Sequence, residues 1–173
     1  MNNTMNNTIM NNTMNNTILN TEMIKPKGRM ARLMNELSLI IIQSNSVKCT
    51  HINNGHNIEI QIDNNKYSLF LCADYPFKIP QNVCYNNIEY KTLLYDNRPE
   101  INKYLLKYYN KECFCCSSLL CGVNWSPCTN ILKIINEINQ NIKIKQEINY
   151  RLISDELRKK YKCYFVDFES YLF

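Results

Sequence analysis

"KYSLFLCADYPFKIP", Lys66 to Pro80, is the stretch on which the fold turns. Its first half is apolar enough for a strand packed on a core. Its second half must leave any sheet, because Pro76 and Pro80 have no N–H to give a ladder. Upstream, Asn53 to Gly55 and Asp63 to Asn65 are turn signals, and between them Ile58, Ile60 and Ile62 alternate with Glu59 and Gln61 as in a half-buried strand. Downstream, "NVCYNNIEYK" holds a further short strand. Short strands joined by tight turns predict an antiparallel meander.

Helical patterns flank it. Pro26 and Gly28 precede a segment, Lys25 to about Gln43, in which Met30, Leu33, Met34, Leu37 and Ile41 recur at helical spacing. After Trp125, Ser126 is placed to cap a helix with Pro127 at its first position, and Ile131, Leu132, Ile135, Ile138 and Ile142 form its stripe. A separate last helix is expected from about Ile153 to Tyr161, before an aromatic tail, "YFVDFESYLF", that would cover the core. Residues 91–112 are less regular, with helical spacing at Ile101, Leu105 and Tyr108 between loop-like flanks. The first seventeen residues repeat "MNNT" with slips and bury too little to offset the entropy of ordering. The expected organisation is a disordered Asn-rich tail over residues 1–24 and one α+β domain over residues 25–173.

The 173 residues carry 20 Lys and Arg against 15 Asp and Glu, a net charge of +5. That is a mild excess rather than a dense basic stripe, so no nucleic-acid partner is expected. Both basic groups, the Lys25–Arg32 set and Arg158 to Lys160, suit solvated helix faces. No apolar run reaches the roughly 20 residues that span a bilayer, and the N-terminus has no signal-like apolar stretch, so neither a membrane partner nor secretion is expected. The Asn-x-Thr sequons of the tail then carry no meaning, and the expected location is the cytoplasm or nucleus.

Nine cysteines are an odd number, and five of them, Cys113, Cys115, Cys116, Cys121 and Cys128, fall in one segment, "CFCCSSLLCGVNWSPC". In a reducing compartment a disulfide framework is disfavoured. Cys113 and Cys116 form a C-x-x-C pair that Cys121, Cys128, His51 or His56 could complete as tetrahedral zinc. The second half lacks a tight pair, so no metal and no other cofactor is expected. Free cysteine is among the most buried residue types, which suits Cys113, Cys121 and Cys128 as small core residues. A thiol beside Ser117 and Ser118 lies in a polar stretch suited to solvent access and to nucleophilic chemistry.

The helix "RMARLMNEL", the meander, "YPFKIP" at Tyr75 to Pro80, a cysteine followed by "LL", and "NWSPCTNILKIINEI" occur in an order that resembles the ubiquitin-conjugating enzymes over roughly Lys25 to Ile142. The resemblance implies the conjugating-enzyme fold: an antiparallel meander packed against an N-terminal helix and C-terminal helices. It implies a transferase that carries ubiquitin or a ubiquitin-like protein as a thioester and passes it to an amine or another thiol. Matching "CSSLL" to the family's nucleophile segment makes Cys116 the nucleophile, with Cys115 second through a one-residue shift. The partners it implies are the modifier, an activating enzyme at Lys27, Arg29 and Arg32, and a ligase at Phe77, Pro127 and Cys128.

The chain departs from that family in five places, two of them a longer span from Pro80 to Cys116 and a C-terminal half shorter than the family's usual pair of closing helices. One extra residue separates the cysteine from Trp125, Ser118 stands where an Asp is usual, and no His-Pro-Asn motif occurs. Asn110, or Asn102, would have to serve the oxyanion in place of that motif's Asn. The loss bears on transfer to lysine more than on thioester formation. A catalytically inactive binding module of the same fold, with a zinc-stapled cysteine loop as a variant, is the competing expectation.

Overall fold

A computed structural model describes residues 28–52 and 54–161. The expected Asn-rich tail, Lys25, Pro26, Lys27, Asn53 and the C-terminal aromatic segment lie outside the described residues.

The chain opens with α1 (Arg29–Ile41) and then runs through β1 (Ser46–Ile52), β2 (Gly55–Ile62), β3 (Asn65–Cys72), β4 (Gln81–Tyr85) and β5 (Ile88–Glu89). The five strands form one antiparallel sheet in sequence order, so the predicted meander is present. In the register Ile58 faces Leu69 and Ile60 faces Tyr67, and all four are buried, so period-2 alternation places one face on the core. β1 pairs with β2 along its length although its sequence gave no strand signal. It is an edge strand, exposed at six of its seven positions, so no apolar face marks it. At the β1–β2 turn a Cβ on Gly55 would lie 2.5 Å from Leu71 O, which leaves room only for glycine.

After the sheet come α2 (Tyr90–Leu94), α3 (Pro99–Tyr109) and α4 (Ile131–Tyr161). α3 occupies the less regular region and buries Ile101 and Leu105, whereas Tyr108 stays largely exposed. α4 corrects the expectation of two helices: it is a single helix of 31 residues. Neither Gly nor Pro interrupts residues 142–153, and Ile144 and Ile148 continue its buried stripe. Its cap is also not Ser126. Asn130 Oδ1 accepts the Lys133 N–H at 2.9 Å, while Ser126 Oγ accepts the Cys128 N–H at 3.2 Å within a preceding turn.

α1 buries Leu33, Glu36, Leu37 and Ile40 and leaves Met30, Met34 and Ile41 largely exposed, a face rotated from the expected stripe. The rotation is explained by Glu36. Its carboxylate accepts the Ile131 N–H of α4 at 3.0 Å, the Tyr75 hydroxyl at 2.7 Å and Arg32 Nε at 2.7 Å. A buried acid so satisfied ties α1, the β3–β4 loop and the start of α4 together. Residues of α1, β2, β3, α2, α3 and α4 share one apolar core. No helix among the described residues is long and apolar enough to cross a membrane.

Candidate functional site

Between α3 and α4 the chain forms a series of turns that carry the cysteines. Phe114 is buried in the core, while Cys115 and Cys116 on the next two positions are exposed and Cys113 is half-buried. One inward aromatic thus turns its neighbours outward. Four residues on, Ser118 is buried and its hydroxyl donates to Glu137 of α4 at 2.6 Å, and the Leu119 N–H donates to the same carboxylate at 2.5 Å. Asn124 closes the loop from the other side, its Nδ2 donating to Cys116 O at 2.6 Å and Ser118 O at 3.0 Å. The thiol-bearing turn is therefore held at both ends.

Cys113 Sγ lies 3.2 Å from Cys115 Sγ, Cys115 Sγ lies 3.8 Å from Cys116 Sγ, and all three sulfurs lie within 4.8 Å of one another. The Cys116 N–H points at Cys113 Sγ at 3.1 Å. Burial pushes the Cys113 thiol up, but hydrogen bonds from Cys116 and Cys115 outweigh it and hold it below the ordinary cysteine value. The same contacts act oppositely on Cys116, which its sulfur neighbours Cys113 and Cys115 push up to about 12.

The structure separates the sequence-derived candidates. Cys121 is half-buried and Cys128 exposed, and neither joins the three-sulfur group; with Cys113 also only half-buried, none of these three is the core residue expected. Phe114, Ser118 and Thr129 take the buried positions of this segment and leave the cysteines toward its outer side. His51 and His56 face each other across the β1–β2 hairpin, with ring centroids 5.0 Å apart, and belong to a different site. Asn110 is the left-handed residue closing α3 and is exposed; Asn102 is exposed on α3 itself. The amide that touches the cysteine loop is Asn124, which sequence reasoning missed because an Asn before a Trp-Ser-Pro reads as loop.

The second group of candidates surrounds Trp125. Its indole N–H donates to Pro76 O at 2.9 Å, and its ring lies 6.3 Å from that of Tyr75, so two segments 49 positions apart are joined. The Tyr75–Pro76 peptide is cis. Phe77 then projects outward, 75% exposed, beside a cleft that it lines with Pro80, Leu120 and Trp125. Pro127 and Cys128 are exposed on the following turn. Of the basic candidates Arg29 is exposed, whereas Arg32 spends its guanidinium on Glu36 and on Thr129 O at 3.0 Å.

No family model, curated protein or solved structure matches this chain.

Proposed function

We propose that this chain is a divergent ubiquitin-conjugating enzyme that carries ubiquitin or a ubiquitin-like protein as a thioester on Cys116. The observation that carries the proposal is the Trp125 N–H bond to Pro76 O. It brings "YPFKIP" and "NWSP", the two motifs behind the resemblance, into one surface and leaves Phe77 exposed beside it. The element order, α1 followed by the meander and a long helix after the cysteine loop, supports the same fold.

In the transfer, Cys116 Sγ attacks the carbonyl of the modifier's thioester with the activating enzyme. The new C–S bond forms on Cys116, the old one breaks, the Cys116 proton leaves and the departing thiolate takes one up. Exposure of Cys116 on a loop pinned through Asn124, Ser118 and Leu119 suits docking with a large partner. Both Asn124 amide contacts are spent on loop carbonyls, so it positions the loop rather than serving an oxyanion; that role is assigned to the exposed Asn110. Weak oxyanion support favours acceptors that are themselves good nucleophiles. The charged enzyme therefore passes its cargo to thiols, such as a ligase cysteine, faster than to lysine amines. Arg29, with Lys27, receives the activating enzyme, and Phe77, Pro127 and Cys128 receive the ligase.

The test is a reaction with activating enzyme, ATP and tagged modifier, resolved on a non-reducing gel. A band one modifier heavier that dithiothreitol removes is expected, and the charged form should discharge faster onto free cysteine than onto free lysine. Absence of any thiol-sensitive adduct across ubiquitin and ubiquitin-like proteins, each with its own activating enzyme, would leave a binding module as the function.

A further inference from the structure

We propose that Cys113, Cys115 and Cys116 form a three-thiolate site for a thiophilic d10 cation, Zn2+ or Cu+. The proposal concerns the same loop but does not rest on the acyl-carrier function, since it needs only the sulfurs. It revises the sequence expectation of no metal. The sequence offered Cys113 and Cys116 with distant partners, and the fold supplies Cys115 instead.

The distances fit. A zinc–sulfur bond of about 2.3 Å sets neighbouring sulfurs about 3.8 Å apart in a tetrahedron. Cys115 and Cys116 already stand at 3.8 Å, and Cys113 and Cys115, at 3.2 Å, need to open only slightly. The turn is built to hold such a set: the inward Phe114 keeps the sulfurs on its outer side, and Ser118 and Leu119 fix the exit on Glu137. The Cys116 N–H aimed at Cys113 Sγ at 3.1 Å is the kind of outer hydrogen bond that orients a ligating sulfur and stabilises its anion. Soft thiolates select Zn2+ and Cu+ over hard cations. Three sulfurs alone complete a trigonal Cu+ site, while Zn2+ would take water as its fourth ligand, which the exposure of Cys115 and Cys116 permits. Each ligating thiol loses its proton to solvent on binding, so affinity rises with pH. A loaded site leaves no free sulfur among the three, so metal and acyl group exclude each other.

The experiment is alkylation footprinting of the reduced full-length chain, with Zn2+ alone in one arm and Cu+ alone in the other. One equivalent of metal should protect Cys113, Cys115 and Cys116 together from iodoacetamide, while Cys49 and Cys128, exposed thiols elsewhere, stay reactive. Protection in one arm only identifies the metal. Unchanged labelling of Cys115 and Cys116 in both arms, or protection spread evenly over all cysteines, overturns the site. A second measurement uses Cys115→Ser, an exposed position whose loss should leave the thermal melt unchanged. Its affinity for the protecting metal should fall by roughly tenfold or more, since even outer-shell losses cost about 10–100-fold; wild-type affinity in this variant overturns the three-sulfur assignment. Footprinting involves no activating enzyme, so a chain that fails to charge but is protected retains the metal site, and one that charges but is unprotected loses it.

Discussion

Phe77 stands between two prolines, and that placement alone argued for a loop outside the ladder; its 75% exposure follows from it. The Phe77→Ala chain should therefore unfold within about 0.5 kcal/mol of wild type in a denaturant melt. Thioester charging should persist while ligase-stimulated discharge weakens, because an exposed aromatic suits an interface anchor. Loss of stability and charging together would return Phe77 to the core. Trp125 is a contrasting case. Replacement by Phe keeps a ring but removes the N–H bond to Pro76 O, and should cost about 1 kcal/mol in the same melt. Neither that bond nor the burial of Glu36 was legible in sequence, because partners 49 and 95 positions away decide them. The clustering of Cys115 with Cys113 was equally hidden: it depends on Phe114 turning inward, which spacing cannot show.

Among the elements, those with one apolar face were readable and those without were not. Ile58 and Ile60 announced β2, whereas β1, exposed along most of its length, announced nothing. The stretch between the two expected helices carries Lys143, Lys145, Gln146 and Glu147, yet Ile144 and Ile148 run the buried stripe of α4 through it. Lys145 is nevertheless a packing residue, its Nζ donating to Leu93 O at 2.7 Å and Tyr95 O at 3.0 Å. Gln146, exposed in that stretch, tests the continuity. Gln146→Pro should destabilise the chain by about 3 kcal/mol as a helix-interior proline does, and a melt shifted by much less would indicate a break there. At the helix start, Asn130→Ala should cost about 1 kcal/mol. Ser126→Ala should cost less, because its hydroxyl serves only a turn.

Across the whole molecule, polar ties between elements set the acid response. Asp96 binds Arg98 at 2.9 Å and Lys145 of α4 at 3.5 Å. The Arg98 hydrogen bonds hold its carboxyl well below the usual carboxylate range, outweighing partial burial, with Lys145 adding to the effect. A folded pKa below the unfolded value of about 3.9 stabilises the fold above that pH, and the contribution is lost as pH falls toward the folded pKa. Asp96→Asn should therefore lower stability by about 1 kcal/mol at pH 7 and flatten the acid limb below about pH 4 in urea melts. The α+β class and the meander were legible at this scale because they follow from local pattern; the convergence of the cysteine loop, Trp125 and "YPFKIP" required tertiary contacts. The central claim is that Cys116 carries the modifier, and Cys116→Ser tests it most directly. Incubated with activating enzyme, ATP and modifier, this variant should yield an adduct resistant to dithiothreitol and mapped by tandem mass spectrometry to position 116, or no adduct at all. A thiol-sensitive adduct formed by Cys116→Ser at the wild-type rate, mapped to another cysteine, would contradict it.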